Sequence, residues 1–488
     1  MRKHLILKKR SLKKNALLNA IRQITSALFP LITVPYATRV LGAEHYGLVN
    51  FSASIINYFV LIAGLGISSY AVREGARVRN DQTKINQFAS QMFTINVIST
   101  ICSYACLIFF LVIWPQNHNL VLLLLVQSSQ IIATTLGMDW VNNVYEDFFY
   151  ITIRYIIFQC LALVGMFIFV HGPNDYLAYA FCMILSVVGG NLCNIAYIRK
   201  YVHVSLTKKI DMGRHLKPIL VLFSNSVATI LYITAGTTIL GILMSNTEVG
   251  IYSVPVKIYT IIKNIINAVI MVTVPRVSFY IGQQHIKESK LLLDKTLNII
   301  VVLVFPAMIG LAFLAEPIIT IISGAEFSSG AVSLRLLCVA LLFGNLACFF
   351  ANAVLLPFKR EKFFLQATCI AAICNVALNF MLIPLCGIKG PAIATIVSEF
   401  IVMVYSAFKA REVYIPSTFL KNLGQTSIGC VTICLICYVT RMLITKPFFD
   451  ILISVTLSLI AYGLTMILMR NEIIRSLVRM IISVVRDK

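Results

Sequence analysis

Fourteen apolar runs, each near the twenty residues that a membrane-spanning helix needs, follow one another along almost the whole chain. They lie at 16–38, 46–70, 88–113, 119–138, 150–170, 176–198, 218–243, 250–275, 295–315, 334–356, 364–386, 391–408, 424–444 and 448–469. A backbone in lipid has no water to bond to, so such runs must close their hydrogen bonds internally as helices. The fold class this predicts is an all-α, polytopic membrane protein of about fourteen transmembrane helices. The scarcity of charge agrees: 12% of the residues are charged, against about 25% in soluble chains. Gly42 and its polar neighbours supply the turn between spans 1 and 2. The basic start, Met1 to Lys14, leads into a run that contains Asn19, Arg22 and Gln23, with no small-residue cleavage site after it. Span 1 is therefore expected to be retained rather than cut off as a signal.

Orientation follows from where positive charge lies. With the N-terminus in the cytoplasm, the cytoplasmic segments are 1–15, 71–87, 139–149, 199–217, 276–294, 357–363, 409–423 and 470–488, and these hold 31 of the 41 Lys and Arg. That is the asymmetry the positive-inside rule demands, and it puts both termini in the cytoplasm. It also disposes of a nucleic-acid reading of the net charge of +22, because the basic residues are spread between apolar runs rather than over one surface. In the tail 470–488, Ile473, Ile474, Leu477 and Ile481 share a face opposite Arg475, Arg479 and Arg486, the pattern of a helix lying on membrane lipids. The outer loops are expected to be short. A membrane polymerase needs a sizeable outer loop for its catalytic residues, so an enzyme is disfavoured.

Most of the thirteen cysteines lie inside apolar runs, as small buried hydrophobes do. Cys434 and Cys437 form a CxxC without an electropositive neighbour, and the seven histidines lack metal-ligand spacing. No cofactor and no metal is expected, and no GxxxxGK[ST] loop is present to bind ATP.

The segments YGLVNFSASIINYFV, with Gly47, and VGIYSVPVKIYTIIK, with Gly250, resemble each other at an offset of 203 residues. Six spans separate them. An even period means parallel repeats. The expected organisation is a six-helix bundle over 1–198, a basic cytoplasmic linker over 199–217, a second six-helix bundle over 218–410, two further helices over 411–469, and the interfacial tail 470–488.

Polar residues inside the membrane are costly and mark bundle interiors or wet cavities. Here they fall into stripes at helical spacing. Span 1 carries Asn15, Asn19, Arg22, Ser26 and Thr33; span 2 carries Asn50, Ser54, Asn57 and Ser68; span 7 carries Asn225, Thr229 and Tyr232; span 8 carries Lys257, Thr260, Lys263, Asn264 and Asn267. The bland reading is that small polar residues glue helices together. It suits the Ser and Thr positions better than Arg22, Lys257 and Lys263, whose stripes hold no acidic residue. Pro30 and Pro35 predict a bend in span 1. Glu399 is the acid well inside a span, either a site for a coupling ion (H+ or Na+) or one half of a pair with a basic residue, and Asn375 and Asn379 of span 11 share a face and are further candidate partners.

Cations and amides suit an anion with a hydroxyl-rich body, since Lys and Arg bind phosphate oxygens and amides serve sugar hydroxyls. A lipid-linked anionic oligosaccharide is such an object. The segment PYATRVLGAEHYGLVNFSASIINYFVLIAGLGISSYAVREGARVRND, from Pro35 to Asp81, resembles the start of Wzx-type flippases of the multidrug/oligosaccharidyl-lipid/polysaccharide exporter superfamily. The carrying residues are Arg39, Gly42, Tyr46 and Gly47, then Gly64, Gly66, Arg73 and Glu74; VGIYSVPVKIYTIIKNII and FMLIPLCGIKGPAIATIVSEF look like later parts of the same family. The resemblance implies two bundles in alternating access, flipping undecaprenyl-diphosphate-linked repeat units, coupled to an ion gradient and working beside polysaccharide polymerase and chain-length machinery. It implies cationic cavity residues at Arg22, Lys257 and Lys263, next to the amide and hydroxyl groups of Asn19, Ser26, Asn57, Asn225 and Asn264. Rival cargoes are a peptidoglycan precursor or teichoic or teichuronic acid units. A cation–drug antiporter of the same superfamily would favour acidic cavity residues instead.

Overall fold

A computed structural model describes residues 12–114 and 118–475. Among these the chain is helical with no strand. Thirteen helical stretches among the described residues are long and apolar enough to cross a membrane, and the first, Ile21–Val78, covers most of predicted span 1 and all of span 2. Helix α1, Leu12–Gly64, runs through Pro30 and Pro35 and is interrupted at Gly42, whose φ of 70° and ψ of 174° are not helical. At 1.5 Å per residue its 53 residues would reach about 80 Å, more than twice a bilayer core of about 30 Å, so the break at Gly42 is what lets one assigned helix serve as two.

The chain divides into two compact units, Met1–Ile230 and Leu231–Lys488. In the first, α1 is followed by α2 (Ile67–Val78), α3 (Gln82–Ile113), α4 (His118–Gly137), α5 (Asp139–Val144), α6 (Phe148–Phe169), α7 (Tyr176–Ile198) and the start of α8 (Met212–Leu243). In the second come the end of α8, α9 (Asn246–Gly282), α10 (Ile286–Phe313), α11 (Ala315–Ser323), α12 (Gly330–Cys348), α13 (Glu361–Cys386), α14 (Lys389–Ala410), α15 (Phe419–Leu443) and α16 (Pro447–Leu468). A π-helical turn, Phe349–Leu355, continues α12.

Three segments expected as loops are structured. Segment 71–87 contains most of α2, an amphipathic helix that buries Ile67, Tyr70 and Ala71 in a cluster with Phe88 and Trp140. The segment after α10, expected as a short outer loop, is longer than expected and folds as α11 and a 3-10 turn, Ala325–Phe327. The linker 199–217 is strapped along α3. The backbone N–H groups of His203, Ser205 and Thr207 donate to Asn86 Oδ1 (2.9 Å), Ser90 Oγ (3.2 Å) and Thr94 Oγ1 (3.1 Å). Two residues of extended chain rise about 6.6 Å and four helical residues about 6.0 Å, so alternate amides of the strap keep step with every fourth residue of α3. The last residues of that linker are already α8, where Asp211 Oδ1 accepts from Arg214 N–H at 3.1 Å. His215 then ties α8 down, bonding Tyr70 Oη (2.8 Å) through Nδ1 and Gln91 Oε1 (2.9 Å) through Nε2.

Asp81 caps α3, accepting from the N–H groups of Thr83 and Lys84 at 3.1 Å each. Bonds from the Lys84 backbone and side chain hold its carboxyl below the usual carboxylate range. In the second unit α9 begins with a capping box, in which Glu248 Oε2 accepts from Ser245 N–H at 3.1 Å. Helices α15 and α16 are anchored to α10, where Tyr462 donates its hydroxyl proton to Val302 O at 2.9 Å within a cluster that includes Ile433 and Met466. The tail from 476 onward, and with it most of the amphipathic pattern, lies outside the described residues.

Candidate functional site

Helix α9 is apolar for most of its length, yet Tyr252, Tyr259 and Lys263 recur at helical steps along one side of it. Those residues line a half-open cavity of about 160 Å³ inside the second unit, closed by Tyr232, Gly236 and Thr237 of α8, Asn375 of α13, and Thr395 and Glu399 of α14. The outer lip is formed by Thr260 and Asn264, both exposed.

The floor is an ion pair. The Lys263 ammonium meets the Glu399 carboxylate, and the Tyr259 hydroxyl donates to Glu399 Oε1 at 2.7 Å. The carboxylate is the buried partner, with 4% side-chain exposure against 20% for Lys263. Room for the pair comes from α12. A Cβ added at Gly344 would stand 2.9 Å from both Glu399 Cδ and Lys263 Nζ, so no larger residue fits without moving a charge. Behind the pair, Asn375 donates to Ser398 Oγ at 3.0 Å, and Asn379 donates to Asn375 Oδ1 at 2.9 Å and to its backbone oxygen at 2.7 Å.

This corrects the expectation that the cations of span 8 are uncompensated. Lys263 is neutralised by Glu399, which lies 136 residues further along the chain, and spacing within one helix cannot reveal a partner on another. Asn375 and Asn379 share a face, as their spacing implies, but they bond to Ser398 and to each other rather than to Glu399. Lys257 does keep the expected character: it is exposed, with no acidic partner among the described residues. It shares the outward stripe of α9 with Thr260 and Asn264.

In the first unit Arg22, Asn57 and Asn225 are half-buried and Ser26 is exposed, whereas the side chains of Asn15 and Asn19 lie outside what is described. The motif residues have structural work. Tyr46 is buried and its carbonyl accepts from Asn50 Nδ2 at 2.8 Å, Gly47 is buried, and Arg39 is exposed. Gly66 has φ +70°, and a Cβ there would lie 2.8 Å from the Phe223 backbone nitrogen. Glu74 pairs with Arg77 at 2.9 Å and with Arg73 at 3.2 Å. Arg154, near the start of span 5, is also compensated. Its Nη2 meets Asp139 Oδ1 at 2.7 Å, and Asn194 donates to the same oxygen at 3.1 Å. Sequence reasoning missed Tyr252, Tyr259, Thr237, Thr395 and Gly344. The available signal was that both tyrosines of α9 fall in step with Lys263.

A membrane-embedded helical bundle with a polar, charge-bearing pocket defines a transporter-like class, and the solved structures agree on the fold. The lipid II flippase MurJ, in an inward closed conformation, superposes with a TM-score of 0.78 over 94% of this chain and 100% of its own, at 17% identity. An inward-facing multidrug resistance MATE family transporter of the MOP superfamily gives 0.57 over 81% and 98%, at 13% identity. The chain belongs to the polysaccharide biosynthesis protein family, whose profile matches residues 12–280. Among curated relatives, a putative O-antigen transporter of Shigella dysenteriae is 23% identical over 81% of this chain and 98% of its own. The capsular polysaccharide biosynthesis protein CapF of Staphylococcus aureus is 22% identical over 81% and 98%. The matched range contains the Pro35–Asp81 segment on which the resemblance to Wzx-type flippases rests.

Proposed function

We propose that this protein is a flippase for lipid-linked anionic oligosaccharides, a transporter rather than an enzyme, serving surface polysaccharide synthesis. The observation that carries the reading is Lys257. It stands eleven residues into α9, which begins at Asn246, roughly 16 Å along the axis, exposed and without an acidic partner among the described residues. A cation at that depth facing acyl chains is strongly disfavoured. A face that meets water and an anionic guest removes the cost. Thr260 and Asn264, on the same stripe, suit the hydroxyls of a sugar.

In this reading the candidate substrate-binding groups are Lys257, Lys263 and Asn264 in the second unit and, taken by themselves, Arg22, Asn19, Ser26, Asn57 and Asn225 in the first. The cargo is an undecaprenyl-diphosphate-linked repeat unit, moved outward by alternating access across a bacterial cytoplasmic membrane, with both termini in the cytoplasm. Moving two negative charges out of an inside-negative cell gains about 4–5 kcal/mol at 100 mV. A coupling ion acts at Glu399, and it is a proton. The groups that touch that carboxylate, an ammonium and a phenol, are hydrogen-bond donors, whereas a metal cation needs a shell of oxygen acceptors. Asn375 and Asn379 support α14 from behind. The names of the curated relatives, an O-antigen transporter and a capsule biosynthesis protein, favour this cargo.

The test is genetic and biochemical together. Cells without the protein should lose surface polysaccharide and accumulate lipid-linked repeat units in the inner leaflet, and a wild-type copy should restore both. Normal surface polysaccharide in its absence would sink the reading.

A further inference from the structure

Lys263 is both counterion to Glu399 and a cation at the edge of a cavity, and it cannot serve two anions fully at once. Its side chain is part-exposed, while the carboxylate behind it is almost wholly buried. A lysine carries a point charge on a flexible stem and can swing between partners, as a forked guanidinium cannot. The polar lip of the cavity, Thr260 and Asn264, lies within a turn of it on α9.

Resting on the flippase reading above, we infer that an anionic group of the cargo, phosphate in chemical class, takes Lys263 away from Glu399, and that Glu399 accepts one proton as it is left behind. The ammonium–carboxylate contact breaks, an ammonium–phosphate contact forms, and cavity water delivers the proton to the carboxylate; no electrons move. A buried carboxylate stripped of its cation is strongly disfavoured, so neutralisation is the cheaper outcome. Other titratable groups do not take over the task. Besides Lys263, those near Glu399 are Tyr259 of α9, Tyr232 of α8 and Cys348 of α12, all neutral in their ordinary state. Tyr232 also stands close to the carboxylate. The Tyr259 hydroxyl follows either form, since it can donate to a carboxylate or accept from a carboxylic acid. The proton then travels with the cargo, so a guest with two negative charges crosses as a single net negative charge and draws half the electrical gain reckoned above for two.

The experiment titrates the purified full-length protein with farnesyl diphosphate at pH 7, calorimetrically, in two buffers of different ionisation enthalpy. Wild type should take up close to one proton per ligand bound. Glu399→Gln should take up none and bind about tenfold more tightly, because Lys263 is already released, and Lys263→Met should bind at least about tenfold more weakly. Wild-type binding without proton uptake overturns the inference, as does undiminished uptake in Glu399→Gln or unchanged affinity in Lys263→Met. A probe that fails to bind wild type overturns it too. Should Glu399→Gln fail to fold, Tyr259→Phe serves in its place. Loss of a donor to the carboxylate should move proton uptake to higher pH, and an unmoved profile counts against the proposal. Restoration of surface polysaccharide in cells is read separately, so the flippase reading survives or fails on its own result.

Discussion

Two ion pairs, Arg154–Asp139 in the first unit and Lys263–Glu399 in the second, each have one buried member, and these two are built in opposite senses. In the first unit the cation is the buried partner: the Arg154 side chain is 7% exposed and Asp139 is 39% exposed. In the second the anion is buried and the cation reaches the cavity. The details follow the same division. Arg154 is held by a single bond from Nη2 to Asp139, by the Tyr150 ring at 5.5 Å and by packing against Gly190, while Asn194 ties Asp139 in turn to the end of α4. Lys263 has one carboxylate, one nearby ring and open space beside it. A pair whose long, mobile member is enclosed acts as a rivet. A pair whose mobile member faces a cavity can be exchanged.

Substitutions should separate these roles. The largest effect is expected at Arg154→Ala, which removes a buried, charge-assisted contact and its packing while leaving Asp139 partly solvated, and should cost about 1.5–3 kcal/mol of stability. The protein should fall in abundance and in thermal midpoint in detergent, with transport per folded molecule unchanged. A stable variant that no longer transports would reverse the comparison. Next comes Gly344→Ala. Its methyl group must displace the Lys263–Glu399 pair, an overpacking effect of about 1–3 kcal/mol. Because the end of a lysine yields more easily than a helix, folding should largely survive while transport drops about tenfold. Normal transport would show that the pair tolerates separation. Lys257→Gln removes an exposed charge and should leave stability unchanged. Transport should fall by a few fold, in line with about 1 kcal/mol for a solvent-accessible ionic contact, and the deficit should shrink at high salt. The smallest effect is expected at Asp81→Ala. Asp81 has a lowered pKa, so its contribution to stability is present above the ordinary Asp value near 3.9 and is lost as pH falls through the lower folded value. The small deficit of the variant at pH 7 should close in acid.

The spans and their order were readable because each is set by a run of apolar residues, a signal carried by every position in it. Even the break at Gly42 was visible, since two spans cannot share one run. Of the exchangeable pair only one half was readable: an acid inside span 12 implies an ion or a basic partner, but not which base. Lys263 and Glu399 meet only after α9 and α14 are packed, and the glycine that makes space for them, Gly344, looks like any small residue in a membrane helix. Helix α2 was hidden for a different reason. Its arginines count toward loop charge, and its apolar face, Ile67, Tyr70 and Ala71, reads as the end of span 2. The linker was hidden most completely, because its bonds are made by backbone amides, which every residue but proline possesses.

That strap carries a rule about length. Only alternate N–H groups, those of His203, Ser205 and Thr207, turn toward α3. Inserting a single residue between positions 203 and 207 would point the later donors at solvent and strand the hydroxyls of α3, whereas a two-residue insertion would leave their facing intact. Related chains should therefore differ in this stretch by even numbers, a parity written in the pleat of an extended backbone rather than in any side chain.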